Sequence, residues 1–296
     1  MTGNERLSDA AALAWLVAIG ADEAIADAPV DRLRAAQALA APPSETSEHS
    51  SPPPHLPHQG GGTRIKALPL DGGGLGGDDI TARAGPLGTP EAAATARELA
   101  RAATTLEELK AAIAAFDGIS LKATATQIVF ADGNPESKLM LIGEAPGAEE
   151  DRRGLPFVGA AGQLLDRMLA AIGRDRTSSY ITNIVNWRPP GNRKPSPAEM
   201  TLCLPFITRH IALVKPAVIV LLGDTAAKTL SGRSEGITRL RGKWLTWRDP
   251  DGPEDAAGIA MMPTFHPAFL LRSPSQKREA WADLLAVKRK LGELEG

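Results

Sequence analysis

Four short apolar runs, each followed by a segment with helical periodicity, constrain the fold of this chain most strongly. Strands and helices that alternate in this way are typical of a parallel sheet with helices on both faces. The chain has 296 residues, 43% of them hydrophobic, which is enough for one sizeable core. We predict an α/β fold, a three-layer α/β/α sandwich around a central four-stranded, mostly parallel sheet. The predicted strands are 139–142, 180–185, 217–222 and 260–264, and the helices that follow them are 162–172, 197–214, 224–231 and 276–291.

The segments before this alternating pattern have a different composition. Residues 1–40 contain amphipathic patterns and are expected to form an N-terminal helical extension. Residues 41–88 are rich in proline, glycine and serine, so we expect a disordered linker. We place the ordered domain at 89–296, with Pro90 in the first turn of its first helix. Within it, residues 237–248 are expected to form a hairpin or an edge strand.

Charge and cysteine content narrow the classes of function. Residues 1–117 carry 9 basic and 16 acidic side chains, whereas residues 118–296 carry 24 basic and 19 acidic ones, so the second part is the better partner for a polyanion. The single cysteine, Cys203, cannot build a disulfide framework within the chain and suits a reducing cytoplasm. The apolar stretch 10–21 is too short to span a bilayer, so we expect no membrane association.

Polar side chains follow three of the predicted strands. Glu144 lies in a tight Gly-Glu-Ala-Pro-Gly turn, Asn183 is near the end of the second strand, and His266 follows the fourth. The carboxyl ends of parallel strands lie at one edge of a sheet, which is where open α/β sheets bind their ligands. The sequence therefore predicts an active site that contains a carboxylate, an amide and an imidazole.

At these loops the sequence resembles the uracil-DNA glycosylase superfamily, and most closely its family 4. The resemblance covers about residues 116–290 and implies the fold predicted above. It also implies a DNA repair enzyme that hydrolyses the N-glycosidic bond of uracil in DNA and leaves an abasic site. The blocks that carry the resemblance are Gly-Glu-Ala-Pro-Gly at 143–147, Gly-Leu-Pro-Phe-Val-Gly at 154–159, Thr-Asn at 182–183, Arg-Pro-Pro-Gly-Asn-Arg at 188–193 and His-Pro-Ala-Phe-Leu-Leu-Arg at 266–272.

The resemblance implies a role for each site residue. A glycosylase must extrude its target nucleotide from the helix, and Phe157 would stack on the extruded uracil beside Gly143. Asn183 would donate to O4 and accept from N3–H, an order that cytosine reverses. His266 would stabilise the charge that develops on O2, and Glu144 would position the attacking water.

Further residues are implied to contact the DNA. Leu270 or Leu271 would fill the gap left by the extruded base, although both are equally consistent with ordinary packing. Asn192, Arg193 and Arg272 would hold phosphates or the groove edge.

Glu150 has a possible accessory role near the base, and its alternatives are a charge pair with Asp151 at the approach to a helix or a solvated surface charge. Glu144 and His266 also have structural alternatives, as a cap of the turn and as a buried structural histidine. Phe157 is alternatively an ordinary core residue, and Asn183 a turn former.

The sequence departs from the family 4 pattern at the iron–sulfur cluster. By the alignment of neighbouring residues, the four cysteines of that pattern would fall at Phe116, Ile119, Trp187 and Cys203. One thiolate cannot hold a cubane cluster, so we predict no cluster, no metal and no other cofactor. The first three side chains are expected to form a small apolar core instead.

Two other departures leave alternatives open. Ala145 stands where many superfamily members have an aspartate. Gly147 stands where other members have an aromatic residue that excludes thymine. A catalytically weak DNA-binding protein on the same fold is therefore one alternative function, and a hydrolase of free nucleosides or nucleotides is another. The expected partner is uracil-containing DNA, and the expected state is a monomer.

Overall fold

The computed structural model of the chain describes residues 88–253 and 255–295. The predicted helical extension at 1–40 and nearly all of the predicted linker at 41–88 lie outside the described residues. The first described helix begins at Pro90, and the Thr89 side chain accepts a hydrogen bond from the Ala92 amide at 3.3 Å. No described helix is both long enough and apolar enough to cross a membrane.

The described residues contain one mixed sheet with the strand order β1-β3-β2-β4-β6-β5. Neighbouring strands among β3, β2, β4 and β6 are parallel, as predicted, whereas β1 and β5 are antiparallel edge strands. The predicted count of four strands was therefore too low. The edge strand β5 lies within the segment 237–248, which was predicted as a hairpin or an edge strand and begins with a short helix. The edge strand β1 was missed, because it has only three residues and too little alternation to be detected. The strands are β1 Ala131–Gly133, β2 Leu139–Gly143, β3 Tyr180–Asn183, β4 Val218–Leu222, β5 Leu245–Trp247 and β6 Ile259–Thr264.

The central strands β2 and β4 are apolar along their length because both faces of the sheet are covered. In β2, Met140 and Ile142 belong to the core on one face, whereas Leu139 and Leu141 belong to the core on the other. Side chains in a strand alternate between faces, so a strand covered on both sides needs a continuous apolar run. This explains why the sequence pattern located β2 and β4 closely.

Helices complete the outer layers. The core on one face of the sheet includes side chains of α1, α2, α6 and α7, and the core on the other face includes those of α5 and α10. The predicted α/β/α class is therefore confirmed. The helices of the described residues are α1 Pro90–Ala102, α2 Leu106–Ala115, α3 Leu121–Thr124, α4 Ala148–Arg153, α5 Ala160–Ala171, α6 Pro197–Val214, α7 Asp224–Ser231, α8 Ile237–Leu240, α9 Pro267–Arg272 and α10 Lys277–Glu295.

Capping side chains determine where the long helix α6 starts. Ser196 accepts from the Glu199 amide at 3.2 Å, and the Glu199 carboxylate accepts from the Ser196 amide at 2.6 Å. This reciprocal pair is a capping box, and Pro197 follows it in the first turn. Because α6 starts after the loop at 188–195, the capping box also anchors that loop beside the sheet edge.

Candidate active site

A cavity of about 640 Å³ opens at the edge of the sheet where the four central strands end. Its lining includes residues that end or directly follow each strand: Glu144 after β2, Asn183 in β3, Gly223 after β4 and His266 after β6. The structure therefore brings the three predicted catalytic side chains to one cavity. Phe157, Asn192, Arg193 and Arg272 line the same cavity.

Glu144 occupies a turn that hydrogen bonds hold against the neighbouring strand. The carbonyls of Gly143 and Glu144 accept from the amides of Ile184 and Val185 at 3.0 and 3.1 Å. The Glu144 side chain is half-buried and, within the described residues, makes no hydrogen bond to a backbone amide. The geometry thus gives no support to the alternative that this carboxylate caps the turn.

Asn183 lies directly beside Gly143 in the parallel pair of β2 and β3. The asparagine side chain is only 3% exposed, and its Oδ1 has no hydrogen-bond partner among the described residues. Leaving a buried acceptor unpaired costs about 1–3 kcal/mol, so such atoms are rare and often mark functional sites. The free acceptor of Asn183 belongs to a side chain that lines the cavity.

Phe157 lines the cavity and has an unusual backbone conformation. Its φ angle is 54°, in the left-handed region that side chains rarely adopt. Such a conformation costs on the order of 1–3 kcal/mol and persists where surrounding structure enforces it, commonly at active sites. The Phe157 ring is 5% exposed, and its centroid lies 5.6 Å from that of His266.

His266 precedes α9 and is held by a backbone amide. The amide of Ala268 donates to His266 Nδ1 at 3.1 Å, so the neutral ring carries its proton on Nε2. Burial, with a smaller contribution from the positive charge of Arg272, lowers the pKa of His266 to about 4. The imidazole is therefore neutral at pH 7 and offers an N–H donor.

Glu150 connects the two loops that form the base side of the cavity. Its Oε2 accepts from the Gly147 amide at 3.1 Å, and its Oε1 accepts from the amides of Val158 and Gly159, both at 2.9 Å. Carboxylates that accept several backbone amides fix the loops that carry those amides. The alternative that Glu150 is a solvated surface charge is therefore wrong.

The two leucines at 270 and 271 have different environments. Leu270 is 1% exposed and belongs to a core cluster with Leu164 and Met168, so this burial argues against a DNA contact by Leu270. Leu271 is 41% exposed and is the leucine of this pair that is available to a ligand.

The basic residues at the cavity also differ. Both amino groups of Arg193 donate to the Glu199 carboxylate, at 2.7 and 2.8 Å, and Asn192 accepts from Arg188 Nε at 2.7 Å. The Arg193 hydrogen bond is the main reason why the pKa of Glu199 falls to about 2. Arg193 thus anchors its loop, whereas Arg272 is exposed at the end of α9.

The positions that the resemblance assigns to cluster cysteines form apolar core. Phe116, Ile119, Trp187 and Cys203 are each at most 3% exposed and belong to one cluster. Burial raises the pKa of the Cys203 thiol to about 12, so it is not a thiolate at neutral pH. These four side chains offer one sulfur and do not fit an iron–sulfur cluster. In the described part of the chain, no three histidine, cysteine, aspartate or glutamate side chains form a metal site.

Sequence reasoning did not single out Arg176, which contacts the backbone of the loop that carries Phe157. Arg176 donates to the carbonyls of Pro156 and Phe157 from a 3₁₀ turn before β3. No local pattern signals such a contact, because 19 residues separate Arg176 from Phe157. The Glu150 contacts had a weak signal, since a glutamate three residues after a helix N-cap is part of a capping box.

Comparisons with known proteins identify the family that the chain resembles. The family profile described as the Uracil DNA glycosylase superfamily matches residues 130–285. Among similar proteins, the Type-4 uracil-DNA glycosylase of Thermotoga maritima is 40% identical over 153 residues, which cover 51% of this chain and 76% of that protein. The Type-4 uracil-DNA glycosylase of Pyrobaculum aerophilum is 41% identical over 158 residues, with 51% and 78% covered. That of Archaeoglobus fulgidus is 37% identical over 180 residues, with 60% and 86% covered.

Proposed function

Because the chain belongs to the uracil DNA glycosylase superfamily, we propose that it is a DNA repair glycosylase. It hydrolyses the N-glycosidic bond of uracil in DNA and leaves an abasic site. Type-4 uracil-DNA glycosylases at 37–41% identity support this activity. The substrate is an extruded nucleotide, since the glycosidic bond is inaccessible within a stacked helix.

The observation that carries the proposal is the Oδ1 of Asn183 beside Gly143, which has no hydrogen-bond partner among residues 88–253 and 255–295. Uracil presents an N3–H donor next to its O4 acceptor, which matches the Oδ1 acceptor and the NH₂ donor of one amide. Cytosine presents the opposite order and would leave both groups unpaired. A site that is built to pair with a polar edge rejects the mismatched analogue strongly, because its buried groups then lose their partners.

The chemistry then follows from the positions of the other side chains. Phe157 stacks on the base, and the neutral His266 donates from Nε2 to O2. As the bond between C1′ and N1 breaks, its electron pair moves to the uracil ring, and this donor stabilises the charge on O2. A preorganised donor of this kind is worth about 3–4 kcal/mol, or about 10²–10³ in rate. Glu144 orients the water whose oxygen bonds to C1′, and its charge favours the cationic sugar of the transition state. The proton that this water loses balances the charge of the departing uracil, so that the products are neutral uracil and an abasic site.

We further propose that the enzyme works without the iron–sulfur cluster of the family 4 pattern. The apolar set of Phe116, Ile119, Trp187 and Cys203 takes its place in the core. Burying one apolar side chain of this size contributes roughly 1.5–3 kcal/mol, so buried area stabilises this region in the place of ligand bonds.

The proposal also covers the location of the protein in the cell, its oligomeric state and its contacts with DNA. We propose a monomer that binds uracil-containing DNA in the cytoplasm; the single cysteine suits a reducing compartment. Leu271 fills the gap in the base stack, Arg272 and Asn192 contact the DNA backbone, and Arg193 supports this surface through Glu199.

The test uses single- and double-stranded oligonucleotides that contain one uracil, with cleavage of abasic sites by alkali. We expect cleavage at uracil and none at cytosine. Binding without cleavage would favour the DNA-binding alternative suggested by Ala145, and release of base from free deoxyuridine alone would favour a nucleoside hydrolase.

Matched variants separate chemistry from folding in this assay. We expect Asn183→Ala and His266→Ala each to lower turnover at least about tenfold. Asn186→Ala is the control for the amide, because Asn186 is equally buried but donates to the Val129 carbonyl at 3.0 Å. His210→Ala is the control for the imidazole, because His210 is buried against the Tyr180 hydroxyl at 2.8 Å. Both controls are expected to lose stability while turnover per folded molecule stays near wild type.

A further inference from the structure

The backbone of Phe157 is held from two sides by charged side chains. On one side, Glu150 accepts from the amides of the two residues that follow Phe157. On the other side, the Arg176 guanidinium donates to the carbonyls of Pro156 and Phe157. A Cβ at Gly162 would lie 1.6 Å from the Phe157 carbonyl oxygen, so helix α5 closes the remaining space. The contacts with Glu150, Arg176 and α5 therefore surround the backbone of Phe157 in its left-handed conformation.

Arg176 is itself fixed by two other elements. Its Nε donates to Asp166 of α5 at 2.8 Å, and its Nη1 donates to Asp132 of β1 at 2.5 Å. The side chains of Arg176 and Asp132 are 25% and 28% exposed, so this pair is partly shielded from solvent, whereas Asp166 is 46% exposed. A planar guanidinium can serve two carboxylates and two carbonyls at once, whereas a lysine ammonium cannot reproduce that fork.

From this arrangement we infer that Arg176 is a positioning residue for the reaction: it holds the strained backbone of Phe157 so that the ring faces the base. The inference rests on the proposed function, since it assumes that the ring stacks on uracil. Arg176 does not line the cavity and acts only through Phe157. Its role differs from a purely structural one, because its loss should affect uracil binding more than the stability of the sheet.

The first measurement does not depend on activity. Amide hydrogen exchange should become at least about tenfold faster at Val158 and Gly159 in Arg176→Lys, because their hydrogen bonds to Glu150 open once the loop is released. Exchange in β4 should stay at the wild-type rate. Equal exchange at these two amides in Arg176→Lys and wild type would overturn the inference, even if the protein releases no uracil.

The second measurement is a double-mutant cycle on catalysis. In the wild-type background, Arg176→Lys should lower kcat/KM about tenfold or more and weaken inhibition by free uracil by a similar factor, since both depend on the ring. In a Phe157→Leu background, the same substitution should change kcat/KM less than about twofold. If Arg176→Lys lowers kcat/KM by the same factor in both backgrounds, Arg176 acts independently of Phe157 and the inference is overturned.

A matched arginine controls for general destabilisation. Arg209 is partly buried and donates from Nε to the Ala103 carbonyl at 2.8 Å, away from the cavity lining. Arg209→Lys should leave uracil inhibition and the exchange of Val158 unchanged. If Arg209→Lys weakens uracil inhibition as much as Arg176→Lys does, the effect is global and the inference is wrong. A wild-type protein without uracil release would instead refute the proposed function, and the exchange rates would still decide the role of Arg176.

Discussion

Gly143 and Asn183 are register partners in adjacent parallel strands, and the asparagine Oδ1 occupies the space that a side chain on Gly143 would need. A Cβ at this position would lie 2.4 Å from Asn183 Oδ1 and 2.6 Å from Phe157 Cζ. The absence of a side chain at 143 thus allows an amide and an aromatic ring to converge on one point. Two of the proposed base contacts depend on this single glycine.

Gly143→Ala should therefore displace both contacts. We expect kcat/KM for uracil-containing DNA to fall at least about tenfold, since displacing a catalytic group by about 1 Å can cost a hundredfold. Gly292→Ala is the control, because a Cβ there meets nothing within 4 Å and alanine favours a helix by about 0.5–1 kcal/mol. Normal activity in Gly143→Ala would show that the observed position of Asn183 is not the functional one.

Removing the amide of Asn183 should lower activity without lowering stability. Its Oδ1 is buried without a partner in the described residues, so Asn183→Ala removes an unfavourable group. We expect the melting temperature to stay at or above the wild-type value while turnover falls. Calorimetry alongside the cleavage assay checks this, and a clear loss of stability in Asn183→Ala would mean that the amide is mainly structural.

The protonation of His266 should give a distinct pH dependence. Burial and the charge of Arg272 lower the pKa of His266 from 6.5 to about 4, while Glu150 acts in the opposite direction. The unfolded chain therefore binds this proton below about pH 6.5, whereas the folded protein does not until about pH 4. The stabilising contribution is complete above pH 6.5 and is lost as the pH falls towards 4.

NMR titration of the His266 ring measures this pKa directly, with His266→Asn used for assignment. Arg272→Gln should raise the pKa of His266, whereas Arg278→Gln, an exposed position outside the cavity lining, should not. An imidazole that titrates near 6.5 in the wild type would contradict the proposal that a neutral ring donates to O2 at pH 7.

The buried apolar set at Phe116, Ile119, Trp187 and Cys203, the positions that the resemblance assigns to the cluster, predicts a colourless protein. As isolated, it should show no visible absorption of the iron–sulfur type and no stoichiometric iron. Cys203→Ala should keep full activity and cost about 1 kcal/mol of stability, because Cys203 then acts only as a small buried apolar side chain. Bound iron, or loss of activity in Cys203→Ala, would argue for a ligand role of the thiol.

The sequence predicted those strands, helices and site residues whose positions depend on local patterns. Continuous apolar runs located the strands β2 and β4, and helical periodicity located α6 at 197–214, because these signals lie within a few neighbouring residues. The order of strand and loop also placed Glu144, Asn183 and His266 at one sheet edge.

Contacts between distant segments were not predictable in this way. The hydrogen bonds of Arg176 to the Phe157 loop depend on how β1, β3 and α5 pack. The short strand β1 exists only because it pairs with β3. Nor could a motif distinguish Leu270 from Leu271, since the orientation of α9 alone decides which of the two leucines is buried.

The last prediction uses those two leucines as a matched pair. Leu270 is 1% exposed, so Leu270→Ala should lower the free energy of unfolding by about 2–5 kcal/mol. Leu271 is 41% exposed, so Leu271→Ala should leave stability nearly unchanged. If Leu271 fills the gap left by the extruded base, Leu271→Ala should reduce kcat/KM several-fold on double-stranded substrate and much less on single-stranded substrate, where there is no stack to hold open. Equal losses on both substrates would assign Leu271 to general DNA contact, because only a duplex requires the gap to be filled.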